Sequence, residues 1–93
     1  MIVSFGSKET RLIWEGQPVS SFSFEMQRVI RRKLEMINRA NSLTDLIQPP
    51  SNRLEKLRGN VDGLYSIRVN LQWRIIFRWQ DGQARDVEII DYH

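Results

Sequence analysis

At 93 residues with a hydrophobic fraction of 41%, the chain can fill one modest core and not two, so a single domain over residues 1–93 is expected. It has no cysteine, which excludes disulfides and thiolate metal sites, and its apolar runs are too short to span a bilayer. A net charge of +3 with a pI of about 9.8 is only a faint pointer to a polyanionic partner.

In chain order, residues 2–5 read as a short opening strand, without the charged start and long apolar stretch of a secretory signal. A cytoplasmic location is the expectation. Residues 8–14 suit two helical turns, ended by Gly16 and Pro18. Phe22, Met26, Val29, Ile30, Leu34 and Ile37 then recur at helical spacing, predicting an amphipathic helix over residues 20–39 with Ser20 or Ser21 as its N-cap. The run Arg28, Arg31, Arg32 and Lys33 reads as its solvated face, or as a contact for an acidic partner or ribosomal RNA. Leu43 and Leu46 suggest one more turn, and Pro49-Pro50 closes the helical half.

Beyond the prolines the period changes to two. Tyr65, Ile67 and Val69 form one alternating set, Trp73, Ile75, Phe77 and Trp79 a second, Val87 and Ile89 a third. Asp81-Gly82 suits a hairpin turn between the last two, and residues 54–58 suit a further strand before the loop at 59–63. The expected fold is α+β: a short N-terminal strand and two helices packed on a twisted antiparallel sheet. If no bulge interrupts a strand, the odd-numbered residues face the helices. Arg68, Arg74, Arg78, Glu88 and Tyr92 then share the opposite, solvent-facing side.

That side is where chemistry is expected. Between residues 53 and 78 six basic residues, five of them arginine, stand against Glu55 and Asp62 alone. Guanidinium groups suit bidentate contacts to phosphate. The plainer alternative is a set of exposed arginines paired with Asp86 and Glu88. His93 is the one side chain that titrates near neutrality unassisted, although a terminal histidine is also an ordinary inert tail. The segment Gly59-Asn60-Val61-Asp62-Gly63 lacks the lysine and helix start of a phosphate-binding loop. One histidine among scattered carboxylates gives no metal-ligand spacing, and no nucleophile elbow is present.

Three motifs carry a family resemblance. Asn52-Arg53-Leu54-Glu55-Lys56-Leu57-Arg58-Gly59 resembles an N-R-L-x-x-L-(K/R)-G segment. The stretch from Tyr65 to Ile75 resembles Y-S-I-R-V-N-x-Q-W-R-I strands, and the stretch from Val87 to His93 resembles a V-E-I-x-D-Y-H ending. In this order, with Pro49-Pro50 ahead of them, they are similar to the HigB-type toxins of the RelE/ParE superfamily over essentially the whole chain.

The resemblance implies the toxin of a type II toxin–antitoxin system: a RelE-like fold that enters the ribosomal A site and cleaves mRNA there with no metal and no cofactor. It implies a HigA-like helix-turn-helix antitoxin as partner, with operator DNA met indirectly through that antitoxin. The family's active-site positions map to Arg58, Arg68, Arg74, Tyr92 and His93, with Lys56 nearby. Catalysis is thus expected of Arg68, Arg74, Tyr92 and His93, and substrate binding of Lys56, Arg58 and Arg78. Some relatives carry a histidine before the L-(K/R)-G step, where Glu55 stands here, so the general base is left open. The alternative is a non-catalytic ribosome- or antitoxin-binding module with the same fold.

Overall fold

Two hydrophobic periods, one helical and one of two residues, meet face to face in a computed structural model of the chain, which describes residues 1–57 and 63–92. Helices α1 (Lys8–Trp14) and α2 (Phe24–Arg39) precede strands β1 (Glu55–Lys56), β2 (Leu64–Arg68), β3 (Trp73–Gln80) and β4 (Gln83–Asp91). The strands are antiparallel and lie in sequence order. Short 3-10 turns at Leu43–Leu46 and Pro50–Asn52 link the helical and sheet halves. No helix among the described residues is long and apolar enough to cross a membrane.

Ile30, Leu34 and Ile37 of α2 are buried against Ile67, Ile75, Phe77, Val87 and Ile89 of the sheet. Burial of each such side chain is worth about 1.5–3 kcal/mol. Helix α1 docks differently. Ser7 caps it by accepting from the Thr10 amide at 3.2 Å. The buried Thr10 hydroxyl in turn accepts the Ile89 amide at 3.0 Å, fixing the helix to β4.

The long helix starts later than its apolar spacing suggests. Its N-cap is Ser23, whose hydroxyl accepts the Met26 amide at 3.1 Å, not Ser20 or Ser21. The Gln27 amide group donates to the Val19 and Phe22 carbonyls at 3.0 and 2.7 Å and holds that segment out of the helix. Phe22 keeps its apolar role from outside, edge-on to Trp73 at 4.9 Å between centroids.

The opening segment runs parallel to β4 but forms two separate bridges, Ile2 with Ala84 and Phe5 with Val87, instead of the strand expected over 2–5. The interruption comes from a β-bulge. Ile76 pairs with Glu88 and Arg78 with Arg85, so Asp86 and Val87 together oppose Phe77. Asp86 takes a left-handed φ of 52°, and its amide donates to the Ser4 hydroxyl at 2.9 Å. The unbroken alternation expected for this strand therefore fails at Asp86: Ala84 and Val87 both reach the core although their parity differs.

The remaining strand expectations lie close to what is found. Strand β1 covers only Glu55–Lys56 of the span expected at 54–58, and residues 58–62, which include Arg58 and most of the expected loop, lie outside the described residues. The β3–β4 hairpin turns at Asp81 and Gly82 with φ of 53° and 76°. Two consecutive positive φ values are the signature of the tight turn whose twist matches a hairpin. Gly82→Ala should cost about 1 kcal/mol through its positive φ, lowering Tm by about 4–8 °C for a domain of this size. A calorimetric Tm within a degree of wild type would show that this turn imposes no such constraint.

Candidate active site

The polar face of the sheet is organised around Arg74. It pairs directly with Arg68 across β2 and β3, so both side chains leave the sheet on the side away from the helices. Arg74 is only 6% exposed, an unusual position for a permanent charge, and its Nε and one terminal nitrogen are hydrogen-bonded accordingly. Its Nε donates to the Ser66 hydroxyl at 2.8 Å, and one terminal nitrogen donates to the Arg53 carbonyl at 2.6 Å and the Ser66 carbonyl at 3.3 Å. The other terminal nitrogen stands 3.9 Å from the Glu55 carboxylate. The Tyr92 ring covers the guanidinium at 5.5 Å.

Tyr92 is held there by the loop between β2 and β3. The Asn70 side-chain oxygen accepts the Gln72 and Trp73 amides at 2.9 and 2.8 Å, which shapes the loop. Gln72 then grips the end of β4: its carbonyl accepts the Tyr92 amide at 2.6 Å, and its side chain donates to Asp91 at 3.0 Å. Arg68 donates through Nε to the Asn70 carbonyl at 3.2 Å. Glu55, Lys56, Leu57, Leu64 and Tyr92 line an open cavity of about 460 Å³ beside this cluster.

Arg68, Arg74 and Tyr92 therefore come together as strand parity requires, with Lys56 and Glu55 along the same cavity. Arg78 shares the face but lies four residues along β3, about 13 Å at the usual rise per residue. Its Nε is ion-paired with the bulged Asp86 at 3.3 Å, as the plainer reading of the exposed arginines anticipates for this residue. Ile76 and Ile90, on the same side, are half-buried. Arg58 and His93 lie outside the described residues. Among those described, no group of three His, Cys, Asp or Glu residues is placed to hold a metal ion.

Three residues that matter here escape sequence reasoning. Ser66 sits opposite Glu55, fully buried beneath Arg74. Asn52, also fully buried, donates to the Leu46 and Gln48 carbonyls at 3.2 and 3.3 Å and accepts Lys33 Nζ at 2.6 Å. Lys33 is the correction to the solvated helix face: Arg28, Arg31 and Arg32 are exposed, whereas Lys33 is 7% exposed. The signal was present, because Lys33 falls three residues after Ile30 and four before Ile37, on the buried stripe.

Comparison with known proteins places these features in a family. A family model described as the RelE-like toxin of type II toxin–antitoxin system HigB matches residues 6–93. Toxin HigB-1 of Vibrio cholerae serotype O1 is 49% identical over 59 residues, which is 63% of this chain and 62% of that protein. Endoribonuclease HigB of Proteus vulgaris is 31% identical over 93 residues, covering the whole of both chains. In structure, the chain superposes on the YoeB–YefM complex from Staphylococcus aureus with a TM-score of 0.62 at 20% identity, covering 100% of this chain and 98% of that one. YafQ from E. coli strain BL21(DE3) gives a TM-score of 0.56 at 15% identity, with 98% and 91% covered. At these identities the structural matches establish the fold: two helices on a four-stranded antiparallel sheet, as in RelE-like toxins.

Burial, with the Arg32 charge adding to it, lowers the Lys33 pKa below the ordinary value of 10.5. Below its folded pKa the charged amine carries the whole burial cost. As pH rises from there toward 10.5, the native state releases the proton first, so the cost is relieved and stability grows. Urea unfolding across that window should therefore move in favour of wild type relative to Lys33→Met. A stability difference between the two that stays flat with pH would contradict this.

Proposed function

Because the chain belongs to the HigB-like family of RelE-like toxins of type II toxin–antitoxin systems, we propose that it is an endoribonuclease that cuts mRNA in the ribosomal A site. The observation that carries this reading is the buried Arg74 guanidinium, roofed by Tyr92 and facing Glu55 beside an open cavity. A fixed cation of this kind suits a phosphate that gains charge during reaction better than it suits a passive docking surface. The name of the Proteus vulgaris relative, an endoribonuclease, supports the endoribonuclease part of this reading.

The reaction is metal-independent and starts at the ribose. The 2′-hydroxyl loses its proton to a base, and its oxygen bonds to the adjacent phosphorus. The bond from phosphorus to the 5′-oxygen then breaks, leaving a 2′,3′-cyclic phosphate and a protonated 5′-hydroxyl. Arg74, Arg68 and Arg58 neutralise the charge on the phosphorane, and Lys56 guides the strand into the cavity. Arg78, being ion-paired at a distance along the strand, contributes to strand binding only. Arginine stays protonated and moves no protons. Glu55, the carboxylate lining the cavity among the described residues, takes the 2′ proton. His93 supplies the proton to the 5′-oxygen, with Tyr92 stacked on a base or assisting as donor.

So few proton-transfer groups favour a substrate that the ribosome positions, since orientation then replaces much of the acid–base work. Action on ribosomes implies a cytoplasmic location. The partner that restrains it is a HigA-like helix-turn-helix antitoxin, through which operator DNA is met. What supports an antitoxin partner in general is the solved YoeB–YefM toxin–antitoxin complex of the same fold.

The test is cleavage of a defined mRNA with and without programmed ribosomes, using wild type, His93→Ala and Glu55→Gln. Cutting should need ribosomes, leave 2′,3′-cyclic phosphate ends, and fall by at least about 100-fold in each folded variant. Ribosome binding by the wild type without any cutting would instead favour the non-catalytic module.

A further inference from the structure

The Arg74 guanidinium owes its aim to two side chains that no substrate can reach. Ser66 is fully buried one strand away and takes Nε on its hydroxyl at 2.8 Å and a terminal nitrogen on its carbonyl at 3.3 Å. The Arg53 carbonyl takes that same terminal nitrogen at 2.6 Å. Arg53 can present this carbonyl because its backbone is left-handed, with a φ of 43°, immediately after Asn52. Asn52 is bolted in place from three directions, by Lys33 Nζ of α2 and by the Leu46 and Gln48 carbonyls.

We propose that Ser66 and Asn52 are positioning residues for Arg74, fixing the guanidinium plane so that its remaining terminal nitrogen faces Glu55, whose side chain lines the cavity. The linkage is mechanical and runs from helix to site. Lys33 holds Asn52, Asn52 sets the turn at Arg53, and the Arg53 carbonyl together with Ser66 fixes three of the donor directions of Arg74. A planar group held at Nε and at one terminal nitrogen has no freedom to rotate about its last bonds. That is the preorganisation a charge-stabilising group needs to act without reorganising during reaction. This inference rests on the nuclease reading for its kinetic consequence, while the tethering itself is observable in any state of the protein.

The experiment compares wild type, Ser66→Ala, Ser66→Thr and Asn52→Ala, each checked for a cooperative melt. On ¹⁵N-labelled protein, the Arg74 Nε–H signal should be resolved and slow to exchange in wild type and Ser66→Thr, and should broaden or exchange fast in Ser66→Ala. In single-turnover cleavage of ribosome-bound mRNA, Ser66→Ala should lose up to about 100-fold in rate at unchanged apparent affinity, and Ser66→Thr should recover most of it. In an Arg74→Ala background, Ser66→Ala should cost nothing further, because its effect travels through the missing guanidinium. An unprotected Arg74 Nε–H in wild type would overturn the proposal, and so would an equal loss from Ser66→Ala with and without Arg74. If Asn52→Ala does not fold, the Ser66 pair decides alone. A wild type that cuts no RNA yet shows the protected signal would defeat the nuclease reading and leave the tethering standing.

Discussion

A permanently charged guanidinium buried to 6% exposure is the constraint on which the rest of this structure turns. Such a charge is costly to remove from water, and an unmet donor would add several kcal/mol per group in a dry site. Arg74 survives because Ser66 and the Arg53 carbonyl absorb its inner donors and Glu55 stands opposite the rest. Meeting those donors fixes other features in turn. Ser66 must sit across the sheet from Glu55, the Pro50–Asn52 turn must end in a left-handed residue, and the chain end must return so that Tyr92 closes the top. Removal of either neighbour would leave a buried charge partly unpaired, which is a larger penalty than the pair contributes as a net gain.

The three sequence motifs gain physical meaning from this arrangement. In the first, Asn52 and Arg53 supply the bolt and the carbonyl, while Glu55 and Lys56 border the cavity. In the second, Ser66 and Arg74 form the tether, Asn70 builds the loop, and Gln72 reaches the end of β4. In the third, Tyr92 arrives where Gln72 directs it. Segments that are far apart along the chain therefore serve one guanidinium. The exposed ion pairs on α2, Arg31 with Glu35 and Arg39 with Glu35, play no comparable part and are worth little in water.

Much of this was legible in the residues. Helix α1 matches its sequence span, the sheet alternation places Arg68, Arg74 and Tyr92 on one side, and Asp81-Gly82 makes the hairpin. With Lys33 the exception, what escaped were effects that local pattern does not encode. Gln27 captures the backbone before α2 and delays its start, which apolar spacing alone cannot report. The bulge at Asp86 depends on Ser4, more than eighty residues away in sequence. Lys33 looked like one more cation in a basic run, yet its spacing put it on the buried stripe, where Asn52 receives it. Arg78 was grouped with the site by parity, but it is ion-paired with the bulged Asp86, as the plainer reading of the exposed arginines anticipates.

The most direct test of the central claim, that the fold holds Arg74 in place to stabilise a charged transition state, is the single-turnover rate of Arg74→Ala on saturating ribosome-bound mRNA. The account predicts a protein that melts cooperatively and binds ribosomes, yet cuts roughly 100- to 1000-fold more slowly. A folded Arg74→Ala protein that cuts at the wild-type rate would contradict it.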